Sequence, residues 1–243
     1  MVQLRKPLAR RGRSLSKAAD RAGAQALATA PVFMAIWPTG IDEVTILDER
    51  ATETTSRTAR RAMIDSQLRV SGVNDPAVLA AFDAVAREDF VPAAMKANAY
   101  IDRAVALDGG AMLAAPLAQG RMLGEAALTA ADTVLVVSAS GYLAALVGQF
   151  GCAVTTLAPA QAVAGKGQGR FSVILVDGAI ETFPAALAAH LNEGGRVVTG
   201  LVERGVTRLA TGTKVGGEVS LLSLADIGIP VLAEFAAPRR WSF

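Results

Sequence analysis

One cysteine, Cys152, and one histidine, His190, are all that this 243-residue chain has of the side chains most used for metal and redox chemistry. A single thiol excludes an internal disulfide and a cysteine metal cluster, which suits a reducing, cytoplasmic setting. A single imidazole excludes any site built on a pair of histidines. Aromatic residues make up 5% of the chain, against 52% hydrophobic residues in all. The apolar excess is mostly alanine, which buries little area, so positive mean hydropathy is no sign of a membrane protein here. Charge is absent over one long stretch, Thr133 to Gly165. Ser138, Ser140, Gly141, Gly148, Gln149, Gly151 and Pro159 interrupt it, so it lacks the ~20 continuously apolar residues of a membrane span. A buried strand–helix–strand is expected there instead, and no membrane partner.

The net charge of +2 conceals an asymmetry. Arg5, Lys6, Arg10, Arg11, Arg13, Lys17 and Arg21 face a single acid, Asp20, over the same segment. The remainder is mildly acidic, which gives no compositional case for a nucleic-acid partner. Residues 1–50 do not read as part of a domain. A basic start, an apolar stretch and the triplet Ala24-Gln25-Ala26 are parts of a secretory signal, but the triplet precedes most of the apolar run and Pro31 interrupts it. A transit peptide or a phosphate-binding arm would also suit the composition. The expectation is a disordered basic leader, or an upstream start, ahead of a domain at 51–243.

From Thr52 the pattern changes. Thr54 to Leu68 has the look of a capped amphipathic helix ended by Ser71-Gly72. Asn74-Asp75-Pro76 caps a second helix, whose Val78, Leu79, Phe82 and Val85 share one face. After Tyr100-Ile101-Asp102 and the Gly-rich turn Asp108-Gly109-Gly110, a helix is expected over Leu117 to Leu128. Val134-Leu135-Val136-Val137 is too short for a helix. It runs into the small-residue turn Ser138-Ala139-Ser140-Gly141 and then the helix-like Tyr142 to Val147. That is how a buried parallel strand enters the first crossover of a doubly wound α/β sheet, and ligands bind at such strand ends. Further strands are expected at 152–157, 171–177 and 195–199, a helix at 183–191, and an antiparallel finish at 206–210 and 219–222.

Three phrases of the first half, Arg61 to Arg69, Gly72 to Leu79 and Val85 to Pro92, resemble the opening helices of the protein-L-isoaspartate O-methyltransferase family. Tyr100-Ile101-Asp102-Arg103 is similar to its Tyr-x-Asp segment, and Asn192 to Val198 to a methyltransferase helix-to-strand turn. The resemblance covers about residues 55 to 243. It implies a Rossmann-like S-adenosylmethionine-dependent methyltransferase sheet with N-terminal helices. It also implies S-adenosylmethionine as cofactor and, as partners, proteins or peptides bearing an isoaspartyl carboxylate. On this basis Ser138, Ser140, Gly141, Tyr142 and Asp177 are the candidate cofactor residues. Tyr100 and Asp102 are the candidate substrate residues, and no metal is implied.

The chain departs from the family pattern at named positions. Ala114 stands where a serine near the reacting carboxylate is expected, with Ala111 and Met112 at other polar positions. Val136 replaces the acid of the first strand, the glycine turn is one residue short, and Ala158 replaces the acid after the next strand. Only Gly165 to Arg170 lie where some thirty further residues would form a strand and helix, so one strand–helix segment is expected to be deleted. Two classes stay open: a carboxyl methyltransferase of weak or lost activity, and a pseudoenzyme acting as a binding or scaffold protein.

Structural roles compete for each candidate. Asp177 either meets a ligand or caps the next turn, and Ser138 and Ser140 either donate to a ligand or fill a tight turn. Asp108 reads as turn chemistry, His190 as a helix C-terminal cation and Cys152 as a small hydrophobe. Arg239-Arg240-Trp241 reads as a docking tail or a strand end. Oligomeric state is left open.

Overall fold

A computed structural model describes residues 43–166 and 169–237. Most of the leader assigned to 1–50 lies outside the described residues, as do Arg239-Arg240-Trp241 and part of the Gly165–Arg170 patch.

Helix α1 (Glu43–Met63) starts well before the expected cap at Thr54, because neither proline nor glycine interrupts it. Its end widens into a π-helical turn at Ile64–Leu68. Helix α2 (Pro76–Ala84) is capped as expected: the Asp75 carboxylate accepts the amides of Ala77 and Val78 at 2.8 and 3.3 Å, and Pro76 occupies the first turn. A two-stranded ribbon, β1 (Val105–Ala106) and β2 (Met112–Leu113), brackets the Gly109-Gly110 turn. Helix α3 (Pro116–Ala126) follows directly.

The sheet is built from β3 (Thr133–Val137), β4 (Ala153–Leu157), β5 (Phe171–Ile180), β6 (Leu191–Glu203), β7 (Val206–Val215) and β8 (Glu218–Asp226). Its order is β4-β3-β5-β6-β7-β8. Strands β4, β3, β5 and β6 are parallel, while β7 and β8 finish the sheet antiparallel. Helix α4 (Tyr142–Gly148) crosses from β3 to β4, and α5 (Pro159–Val163) and the short α6 (Ala185–Ala188) precede β5 and β6. The helix expected over 183–191 is cut short because Leu191 already pairs with Phe171 in β6.

Burial on both faces explains the unbroken apolar run of β3. Val134 and Val136 pack into the core shared with α2, α3 and α4, and Leu135 and Val137 point into the core on the opposite face. The same alternation holds in β5 for Val173 and Leu175 against Ile174 and Val176. Strand β4 pairs with β3 alone, and Thr155 and Thr156 are exposed. It forms the outer edge of the sheet, and no strand lies between α5 and β5 among the described residues, in keeping with a deleted strand–helix segment.

Candidate active site

The carboxyl ends of β3 and β5 meet at one residue pair. In β5 the register to β6 slips between Leu175 and Ala179, so Val176, Asp177 and Gly178 form a bulge. Such a bulge bends the strand and re-aims its side chains. Asp177 is thereby turned toward α3 and the β3 turn. Gly178 is required there: a Cβ would collide with the Leu232 side chain packed over it.

Asp177 is buried and accepts two kinds of donor. Gln119 Nε2 reaches its two oxygens at 3.0 and 3.2 Å, and Ser138 Oγ donates to Oδ2 at 2.9 Å. Burial pushes the carboxyl above its usual range. The hydrogen bonds from Gln119 and Ser138 and the charge of Arg87 oppose that rise.

Gln119 passes the network on to Arg87, whose side chain is fully buried. The guanidinium donates from Nη1 to Gln119 Oε1 at 2.8 Å, from Nε to the Ala99 carbonyl at 2.8 Å and from Nη2 to the Ala114 carbonyl at 2.6 Å. Its Cζ lies over the Tyr142 ring, 5.0 Å from the centroid, so an aromatic face stabilises the buried cation. Burial pulls Arg87 below its usual value, but an arginine remains charged. Tyr142 itself is a core residue against Phe82 and Phe90, and its hydroxyl has no hydrogen-bond partner.

At the turn, the Ser138 hydroxyl accepts the amides of Ser140 and Gly141 at 3.3 and 3.2 Å. Ser140 Oγ accepts the amide of Tyr142 at 3.1 Å. The amides opening α4, which in a ligand site would point at an anion, are thus met by side-chain oxygens. Gly141 has φ of 77°, which favours glycine, and a Cβ there would meet nothing within 4 Å. Space is open beside the backbone at Gly141, while Val136, where the family acid is expected, is fully buried in the core.

The substrate candidates have other partners. The Tyr100 hydroxyl donates to Glu88 and accepts from Arg60 Nε at 2.9 Å, and Arg60 pairs with Glu88 at 3.5 Å. Burial and the bond to Glu88 push the phenol up to about 12. Asp102 Oδ1 accepts the Leu117 amide at 3.1 Å, which caps the start of α3. Ala114 is fully buried with Ala118, Ala179 and Ile229, so no side-chain donor stands there. A cavity of about 590 Å³ opens in front of Ala118 and Ile229.

The structure therefore brings Ser138, Ser140, Gly141, Tyr142 and Asp177 together at one sheet edge. It does not bring Tyr100 into their hydrogen-bond network. Arg87 and Gln119, which organise the network, were not among the sequence candidates. Gln119 was detectable as a lone polar residue on the buried face of α3, beside Ala118, Met122, Leu123 and Ala126. Among the described residues no group of three or more His, Cys, Asp or Glu side chains could hold a metal, and no helix is long and apolar enough to cross a membrane.

Comparison with known proteins adds lineage to this geometry. A sequence profile of the protein-L-isoaspartate(D-aspartate) O-methyltransferase (PCMT) family matches residues 58–156. A protein-L-isoaspartate O-methyltransferase of Koribacter versatilis is 33% identical over 193 residues, covering 69% of this chain and 87% of that one. One from Methylorubrum populi is 31% identical over 185 residues, covering 66% and 87%. A Plasmodium falciparum chain described as a beta-aspartate methyltransferase, solved with S-adenosyl-L-homocysteine, superposes with a TM-score of 0.58. At 17% identity, covering 74% of this chain and 98% of that chain, it bears on the fold alone. The fold is thus that of the methyltransferase sheet, and by its relatives this chain belongs to the protein-L-isoaspartate O-methyltransferase family.

Proposed function

We propose that this chain is an S-adenosylmethionine-dependent carboxyl methyltransferase acting on isoaspartyl residues of damaged proteins, working slowly because its polar contacts to both reactants are reduced. The observation that carries this reading is the open backbone at Gly141, at the carboxyl end of β3 and the entrance of α4. The residues present fit the cofactor's approach: nothing fills the space beside Gly141, and Ser140 and Gly141 border it half-exposed. Ser140 and Gly141 would hold it by close approach of the backbone rather than by charge, since Val136 is buried and Ala158 follows β4. Each missing hydrogen bond to a polar or charged group costs about 1–3 kcal/mol, so weak affinity is expected.

When bound, S-adenosylmethionine supplies a methyl group that is already electrophilic. The protein's task is then to bind, orient and exclude water. The Arg87–Gln119–Asp177–Ser138 network fixes the turn, because a displaced member would leave buried polar groups without partners. The apolar cluster of Ala114, Ala118, Ala179 and Ile229 keeps water from the wall beside the cavity. A carboxylate is nucleophilic without a general base, so the lack of a base at the cleft is no obstacle. Lack of the hydroxyl at position 114 is expected to slow transfer about tenfold or more. A cytoplasmic location would keep the Cys152 thiol free, as it stands here.

A second reading, a pseudoenzyme serving as a binding or scaffold protein, is favoured by the turn amides. Ser138 and Ser140 already meet those of Ser140, Gly141 and Tyr142. Calorimetric titration of S-adenosylhomocysteine and S-adenosylmethionine into the full chain, followed by methyl transfer to an isoaspartyl peptide, separates the two. Micromolar binding with ester formation supports the enzyme. Binding without transfer supports the binding protein. Neither heat nor thermal stabilisation at millimolar ligand would sink the methyltransferase reading.

A further inference from the structure

The cavity in front of Ala118 and Ile229 carries one charge that no other group uses. Its walls are segment 102–104, the residues around the start of α3, and segment 227–231. Asp102 and Arg103 are the charged residues lining it. Asp102 already holds the first turn of α3 through the Leu117 amide. Arg103 is exposed and, among the described residues, makes no ion pair and no side-chain hydrogen bond. Apart from Asp102 and Arg103, the lining is apolar. Leu117, Ala118 and Ile229 line the interior, and Met112 and Val231 line the mouth while remaining 38% and 52% exposed.

An unpaired guanidinium at an apolar wall presents two parallel N–H donors, which match a carboxylate bidentately. The apolar walls favour uncharged neighbours on the same ligand, and Asp102 repels a second acid. Behind the wall lies Ala114, the position from which a neutral hydroxyl is missing. We propose that Arg103 is a substrate-binding cation that orients the isoaspartyl carboxylate in place of that hydroxyl, and that the cavity selects isoaspartyl sites flanked by apolar residues. This rests on the carboxyl methyltransferase reading above.

The test is a fluorescence anisotropy titration of labelled, end-blocked isoaspartyl peptides with the full chain, with no cofactor added. One peptide has leucine on both sides of the isoaspartyl residue, a second has glutamate on both sides, and a third is the methyl ester of the first. The leucine-flanked acid is expected to bind best. Arg103→Gln should weaken it about tenfold or more, as loss of a charge-assisted pair does, and Arg103→Lys should recover part of the loss. The ester should bind the native protein about as weakly as the acid binds Arg103→Gln. Several results would overturn the proposal: no binding, equal binding of acid and ester, indifference to Arg103→Gln, or preference for glutamate flanks. Methyl transfer on the same peptides separates this proposal from the catalytic one. Arg103-dependent binding without transfer leaves Arg103 in place and fails the enzyme. Transfer with KM unchanged in Arg103→Gln does the reverse.

Discussion

The Ser138 hydroxyl donates to Asp177 at 2.9 Å and, through its lone pairs, accepts the amides of Ser140 and Gly141. A hydroxyl has one proton and two lone pairs, so nothing on Ser138 is left for a ligand. The residue acts as a clasp between β5 and the turn after β3. Ser138→Ala should therefore lower unfolding free energy by about 1–3 kcal/mol in denaturant titration. Affinity for S-adenosylhomocysteine should hold or rise, because two amides are released beside the open face at Gly141. A fall in affinity would instead make Ser138 a direct cofactor ligand.

Asp177 gives stability a pH dependence whose sign can be worked out. Its folded pKa is raised above the ordinary 3.8, chiefly by burial. Between the two values the folded protein holds a proton that the unfolded chain has released. The contribution is full below the ordinary value and is lost as pH rises through the folded one. Asp177→Asn removes this titration. The difference in unfolding free energy between native protein and variant should slope downward above the ordinary carboxyl range and then level off. A flat difference would mean that the hydrogen bonds from Gln119 and Ser138 and the charge of Arg87 cancel the effect of burial.

The parallel core was legible because burial on both sides leaves a signature in sequence. Four apolar residues, a small-residue turn and an apolar helix located β3, the turn and α4, and the Asp75 cap located α2. The length of α1 was not legible, since Thr54 looks like a cap and only the absence of a breaker upstream lets the helix extend. The lengths of β6, β7 and β8 were underestimated because ladder pairing carries Glu203, Lys214 and Asp226 into strands that their own propensities do not favour. At the site, Asp177 was found from its place after a buried strand. Its partners Gln119 and Arg87 were not, because a buried Arg–Gln–Asp chain joins residues far apart in sequence and leaves no local spacing to read. Arg87 was seen only as part of the phrase Val85 to Pro92.

The chain's two tyrosines offer an independent check on burial. Tyr100 is pushed up to about 12, and Tyr142, against Phe82 and Phe90, is raised as well. In the folded protein tyrosinate absorbance should stay near its baseline through the ordinary value of 10.0, while the unfolded chain titrates there. Both phenols hold protons that the unfolded chain gives up, so stability is lost as pH rises above that value. Glu88→Gln removes the carboxylate acceptor and should bring Tyr100 back toward its ordinary value. Tyr100 titrating at its ordinary value in the native fold would contradict the buried Arg60–Tyr100–Glu88 arrangement.

Ala114→Ser is the sharpest probe of catalysis, because its effects on stability and on rate have opposite signs. The side chain would enter a closed apolar cluster with Ala118, Ala179 and Ile229. A hydroxyl buried there without a partner costs about 1–3 kcal/mol of stability. If the chain is a slowed methyltransferase, the same hydroxyl gains a carboxylate to bind only when substrate is present. Methyl transfer to an isoaspartyl peptide should then rise about tenfold for each 1.4 kcal/mol recovered, in kcat/KM, while the melting temperature falls. A drop in melting temperature without a gain in rate would show that the wall at position 114 no longer faces the reacting carboxylate. The open space at Gly141 would then be a remnant of catalysis, and the binding-protein reading would replace the enzymatic one.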